Sequence, residues 1–282
     1  MIHLGPSVSF GLSEIQVWSR RQESNLYLPL RRRPFYPLNY GEVWRWLGAS
    51  GQAAILAELA EGIAGVRWHT VPPEVQERAM GETDTAWSGF HRAALGRPVR
   101  ELLRRTLGCF DLERRPPGVA VDLGCGSGAE TLELLRRGWQ VHAVDADSSG
   151  IALLEASVPP EVRPRLHTHV TRFEDFELPR CDLVWSGFSL PYCAAAQWPP
   201  LWSHIVAALN VNGRFAGDIF GNKHAWAVEP EVHVLTEAAL RQQLEGLVIE
   251  AFDIEDGLRP SGGELTRWHA FGIAARKPQA PA

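Results

Sequence analysis

The stretch VAVDLGCGSGAET, residues 119–131, constrains this chain more than any other: an apolar run, three glycines within five positions, then a helix-forming run. Glycines at that density after a strand allow a tight turn whose backbone approaches whatever sits at the start of the following helix. A strand leaving by such a turn reaches a parallel neighbour through a helix, so the loop implies an open α/β sheet that binds its ligand at the carboxyl ends of the strands.

The same alternation continues to the end of the chain. The runs WQVHAVD, RLHTHV, CDLVWSGFSL, NGRFAGDIFG, VIEAFDIED and TRWHAFGIAARK read as further strands. Between them AETLELLRRG, closed by Gly138, SSGIALLEAS with a serine cap, PPLWSHIVAALN and TEAALRQQLEGL read as helices. GRPVRELLRRTL carries Val99, Leu102, Leu103 and Leu107 at helical spacing and leads into the first strand. The last two strands have no helix between them, which predicts an antiparallel closing pair. The expected fold is therefore α/β: a Rossmann-like, seven-stranded, mostly parallel sheet with helices on both faces and an antiparallel C-terminal strand.

The residues around the loop bear on the ligand. Gly124 to Ala129 satisfy GxGxxA, a weak form of the dinucleotide fingerprint, so a nicotinamide cofactor stays open on that match alone. Asp122, two residues before the first glycine, would repel a pyrophosphate resting on the helix N-terminus. A ligand with an ammonium group at its near end and no phosphate would instead be attracted, and S-adenosylmethionine is such a ligand. Asp145 ends the next strand, where a carboxylate can accept ribose hydroxyls in either ligand class, so it does not discriminate.

VDLGCGSG, AVDADSSGIALL, FEDFELPRCDLVWSGFSL and LNVNGRFAGDIF occur in that order, and the ordered set resembles the class I S-adenosylmethionine-dependent methyltransferases over residues 87–277. The late GDIFGNKHAW and GELTRWHAFGIAARK look like the tellurite-resistance-type branch of that family. The resemblance implies that Gly124, Cys125 and Gly126 line the methionine and ribose moiety with Asp122 beside them, and that Asp145 takes the ribose hydroxyls. It further implies that Ala146 abuts the adenine, that Phe173 and Glu174 flank it, and that Ser186 and Phe188 lie under the methionyl end. The family often has an aspartate after the third strand, where this chain has Arg172 or Phe173. The implied activity is methyl transfer to a small-molecule acceptor, with a non-catalytic cofactor-binding regulator and an NAD-dependent dehydrogenase as alternatives.

Methyl transfer from a sulfonium is an in-line displacement that needs no obligatory acid–base pair, so no residue is assigned as catalyst. His224, Trp226, Tyr192 and His269 lie at or near carboxyl ends of strands and are candidates for the acceptor pocket, whereas Asp218 falls inside a strand. Cys193 is separated from Pro191 by Tyr192, unlike the Pro-Cys nucleophile of cytosine-5 methyltransferases. His142, His167 and His169 fall in strands and read as core or sheet-surface residues.

Composition sets the remaining bounds. A net charge of −5 gives no basic field for nucleic acid, and the four cysteines form no zinc-like spacing, so no metal site is expected. No apolar run reaches the roughly 18 to 20 residues of a membrane helix and the N-terminus has no secretory pattern, which favours a cytoplasmic enzyme. Residues 1–42 mix arginine clusters with prolines, show no useful periodicity, and resemble translated transfer-RNA sequence. They are expected to be a disordered arm or a spurious extension upstream of the true start, with Met80 a candidate alternative start. Residues 43–86 read as a helical segment that can serve as a lid, residues 87–277 as the catalytic domain and 278–282 as a tail.

Overall fold

Short apolar runs become the first four strands of one sheet, and three strands of 12 to 14 residues complete it. They are β1 (Val119–Leu123), β2 (Gln140–Asp145), β3 (Leu166–Val170), β4 (Cys181–Gly187), β5 (Leu209–Phe220), β6 (Val248–Ser261) and β7 (Glu264–Arg276). Six α-helices accompany them: α1 (Ser88–Ala93), α2 (Glu101–Leu112), α3 (Ala129–Arg136), α4 (Ser148–Ser157), α5 (Trp198–Ala208) and α6 (Glu237–Gln243). The computed structural model describes residues 87–261 and 264–279. The expectations for residues 1–42, for the helical segment and lid at 43–86, for Met80, and for residues 280–282 lie outside the described residues.

The sheet order is β3-β2-β1-β4-β5-β7-β6. Strands β1 to β5 pair in parallel, and β7 pairs antiparallel with both β5 and β6. The seven-stranded, mostly parallel sheet with its antiparallel ending is thus borne out. The physical cause is the short link between β6 and β7, which can only turn the chain back on itself. The order runs outward from β1 through β2 to β3 on one side and from β4 to β5 on the other. The reversal between β1 and β4 opens a crevice at their carboxyl ends.

Strand alternation distributes the core between the two faces. Val121 and Leu123 of β1 pack with Val184, Phe215 and Ile219 against Trp202 and Ile205 of α5 and Leu240 of α6. Ala120, on the opposite face, packs with Val141, Leu183 and Trp185 against Leu103 and Phe110 of α2, Leu134 of α3 and Leu154 of α4. Several details differ from the sequence reading: β6 runs on to Ser261 beyond VIEAFDIED, and β5 begins at Leu209, within the stretch read as helix. Helix α4 is capped by Asp147, whose side chain accepts a hydrogen bond from the Ser149 N–H, rather than by a serine. Helix α1, six residues long, was not anticipated at all.

Candidate functional site

The glycine turn is built for close approach. Gly124 has φ 73°, a left-handed conformation that costs glycine little, and a Cβ there would collide with Ser189 in the loop leaving β4. The turn is fastened to the neighbouring strand, because the N–H groups of Gly124 and Cys125 both donate to the Val144 carbonyl, at 2.8 and 3.0 Å. Beyond it, Asp145 Oδ2 accepts the Gly126 N–H at 2.8 Å and Oδ1 accepts the Asp147 N–H at 2.9 Å. Each carboxylate oxygen keeps acceptor capacity beyond that one backbone bond. Burial pushes the Asp145 carboxyl upward, opposed by its backbone hydrogen bonds and by nearby His91.

A cavity of about 510 Å³ opens over this turn. Gly124, Gly126, Asp145, Ala146, Phe173, Glu174 and Phe188 all line it. Asp122, Cys125 and Ser186 do not line it and sit behind the wall. Strand alternation explains Asp122: between Val121 and Leu123 it faces α3, where it is 2% exposed and accepts a hydrogen bond from Thr131 Oγ1 at 2.6 Å. Burial, with Glu130 next in effect, raises its carboxyl to about 7. Cys125 is packed in the same core, and the Ser186 hydroxyl is 2.7 Å from that of Ser189, which in turn donates to the Leu123 carbonyl.

The other end of the cavity is aromatic. Phe188 has φ 61°, a left-handed conformation that costs a non-glycine residue on the order of 1 kcal/mol or more. The turn puts its ring in a stack with Phe220 at 5.0 Å, with the Arg100 guanidinium 4.9 Å above it. Tyr192 and Trp226 line this end, as expected of pocket candidates. Burial pushes the Tyr192 phenol up, so it stays a neutral hydroxyl rather than a base. His224 and His269, the other two candidates, are outside the lining. His224 Nδ1 accepts the Trp226 N–H at 3.0 Å and His269 Nδ1 accepts the Lys223 N–H at 3.2 Å, so both rings hold the turn after β5. Burial, and then His269, lower His224 to about 4, keeping it neutral. Asp218 lies behind Arg100, 3.8 Å from its Nε, and burial raises its carboxyl to about 6.

Several cavity residues escaped the sequence reading because they precede the alternating domain. Trp87, Phe90 and His91 reach the cavity from the start of α1, and Trp87 meets the Tyr192 ring edge-on at 5.0 Å. His91 is 4% exposed, and neither ring nitrogen has a hydrogen-bond partner. Leaving a buried polar group unpaired costs about 1 to 3 kcal/mol. Burial lowers the His91 imidazole, while Asp145 and Asp147 pull it the other way. Arg100 is positioned through its neighbourhood: its backbone N–H donates to Glu130 Oε1 at 3.2 Å, and buried Glu130 is gripped by both terminal nitrogens of Arg97. The available signal was an aromatic–histidine cluster, WSGFH, just ahead of a glycine and a proline.

The cysteines take no part in the cavity wall. Burial raises Cys193 and Cys181 to about 12, which leaves them protonated and poorly nucleophilic. Among the described residues no group of three His, Cys, Asp or Glu side chains is placed to hold a metal ion, and no helix is long and apolar enough to cross a membrane. His142, His167 and His169 stack on one face of β2 and β3, away from the cavity. Such a wall fits a ligand with hydroxyls and a cationic or neutral body. Because Asp122 lies behind the wall, the repulsion of a pyrophosphate expected from it does not reach the cavity, and Asp145 can accept ribose hydroxyls in either ligand class.

Comparison with known proteins agrees with this arrangement. Residues 120–213 match the family described as a methyltransferase domain. The magnesium-protoporphyrin O-methyltransferase of Rhodobacter capsulatus is 36% identical over 104 residues, which is 34% of this chain and 46% of that protein. The match therefore spans less than half of the relative's length. Among solved structures, TehB from Haemophilus influenzae superposes with a TM-score of 0.51 at 16% identity, over 62% of each chain. An S-adenosylmethionine-dependent methyltransferase from Methanosarcina mazei gives 0.50 at 18% identity, over 64% of this chain and 99% of that one. The class I methyltransferase resemblance read from the sequence is borne out by the matched domain and the shared fold.

Proposed function

We propose that this chain is an S-adenosylmethionine-dependent methyltransferase acting on a small-molecule acceptor. The observation that carries the reading is the cavity itself. A methyltransferase-type glycine turn and the Asp145 carboxylate form one end, and the aromatic wall of Phe188, Tyr192 and Trp226 forms the other. Gly124 and Gly126 would flank the methionyl and ribose parts, Asp145 would accept the ribose hydroxyls, and Ala146, Phe173 and Glu174 would enclose the adenine. The bound cofactor supplies a sulfonium methyl group as an electrophile with a thioether leaving group.

The chain's own contribution is orientation. The glycine turn and Asp145 fix the donor end, and the rings of Phe188, Tyr192 and Trp226 confine the acceptor in line with it while excluding water. Proximity of this kind is worth about 7 to 11 kcal/mol in favourable cases. Burial keeps the Tyr192 phenol protonated, and His224 and Cys193 lie outside the cavity wall, so an acceptor nucleophilic without deprotonation, or one already ionised, suits the site. The relative's name specifies methylation at oxygen of magnesium-protoporphyrin, which places oxygen acceptors, carboxylates included, first in a test panel.

The experiment is transfer of labelled methyl from S-adenosylmethionine to a panel of small acceptors, with a thermal-shift series in S-adenosylhomocysteine and NAD alongside. Label appearing in an acceptor supports the reading. Stabilisation by NAD alone would move the protein to the dehydrogenases through ligand linkage. Stabilisation by S-adenosylhomocysteine with no transfer across the panel would favour a cofactor-binding regulator.

A further inference from the structure

A buried imidazole ordinarily has at least one ring nitrogen hydrogen-bonded. His91 has none, although it lies in the wall of the cavity and 4% exposed. Its location is specific. A Cβ on Gly126 would lie 3.0 Å from His91 Nδ1, and a Cβ on Gly150 would lie 3.1 Å from His91 Nε2. The ring is therefore seated on the Gly126 peptide, whose N–H is the one bonded to Asp145. One carboxylate and one unpartnered imidazole thus share a single peptide unit at the edge of one cavity.

The chemistry of that pair selects its ligand. Asp145 offers only acceptors, whereas a neutral imidazole offers one donor and one acceptor. A phosphate would meet the carboxylate's repulsion. An ammonium group would satisfy Asp145 but leave the imidazole N–H without an acceptor. Two adjacent hydroxyls satisfy both, since each can donate to the carboxylate and accept from the imidazole. We propose that His91 is a second cofactor-contacting residue, holding with Asp145 the vicinal diol of the cofactor ribose. This rests on the cofactor reading above. It also makes α1 a part of the binding site, so that the segment before the alternating domain is fastened by the ligand.

The test compares S-adenosylhomocysteine with its 2′,3′-dideoxy analogue by calorimetry, on the full chain and on His91→Leu and His91→Phe. The second variant keeps a ring and removes both nitrogens, and melting of the free proteins verifies folding. The expected result is that both variants weaken S-adenosylhomocysteine by about tenfold, as for one lost hydrogen bond. They should leave the affinity for the dideoxy analogue unchanged. Equal weakening of both ligands would make His91 a packing residue only and overturn the proposal, as would no weakening of either. If the unsubstituted protein binds no S-adenosylhomocysteine, the cofactor reading itself fails, an outcome separate from failure of the His91 contact.

Discussion

Arg214 and His91 are both buried, at 1% and 4% exposure, yet one is saturated with partners and the other has none. Arg214, midway along β5 and paired with Leu183 near the start of β4, bonds Glu250 through Nε at 2.6 Å and Glu113 through a terminal nitrogen at 3.1 Å, with Phe110 4.6 Å beneath its guanidinium. Nearby Asp182 accepts from Arg115 at 3.1 Å and from the Val119 N–H and Asn210 Nδ2, both at 3.2 Å. At the carboxyl ends of the same sheet, His91 and the Arg100 Nε are buried without hydrogen-bond partners, and Phe188 holds a left-handed φ. Arg214 and Asp182 are satisfied within the chain. The unpartnered ring of His91 lies instead beside the cavity, where the proposed cofactor would sit.

That contrast breaks if variants at the two rims behave alike. The largest stability effect is expected for Arg214→Met, which leaves two carboxylates facing each other. Glu113 and Glu250 are 39% and 21% exposed and can reach water, so the loss should be about 3 kcal/mol, at the lower end for a broken buried ion pair. Denaturant melts measure it, and the cofactor affinity of the folded variant should be unchanged. Asp145→Ala should do the reverse. Hydrogen bonds to a charged group are worth about 1.5 to 3 kcal/mol each, so S-adenosylhomocysteine affinity should fall on the order of tenfold to a hundredfold, with a smaller loss of stability than Arg214→Met.

A smaller effect should separate the two ends of the cavity. Trp226 stands at the aromatic end, 5.4 Å edge-on from Phe220. Trp226→Ala should therefore keep cofactor affinity within about twofold, since by this account it touches only the acceptor. A tenfold loss by calorimetry would place the cofactor at the wrong end.

A separate effect is a pH dependence. Burial raises Asp122 to about 7, so the folded protein retains a proton that the unfolded chain, with its carboxyl near 3.8, releases. The stability this contributes is full below about pH 4 and is lost as the pH rises through about 7. Asp122→Asn has no such proton and can still accept from Thr131. Its melting temperature relative to the unsubstituted protein should rise between about pH 4.5 and pH 7.5. A constant difference would mean that Asp122 ionises normally in the fold.

The sheet was legible because β1 to β4 are short, largely apolar runs and the connecting helices have their own period. Both signals are local. The glycine-turn end of the cavity was legible for the same reason, since Gly124, Gly126, Asp145 and Ala146 sit at the carboxyl ends of β1 and β2 and in the turns that follow. What the motif did not convey was direction. Asp122 and Ser186 are within strands, and alternation against Val121 and Leu123 would have turned Asp122 toward α3 and away from the cavity. His224 and His269 were candidates by position alone, and only the structure reveals that the Nδ1 atom of each accepts a backbone N–H, from Trp226 and Lys223, in the turn after β5. His91 was missed because a six-residue helix carries too little pattern to be read.

The central claim is that the polar capacity of the carboxyl-end rim is matched to S-adenosylmethionine. Isothermal titration of the full chain with S-adenosylhomocysteine tests it most directly, with NAD titrated into the same preparation. The account predicts saturable binding of one S-adenosylhomocysteine per chain and no heat from NAD. No heat and no thermal shift at millimolar S-adenosylhomocysteine, in a protein that melts cooperatively, would contradict it.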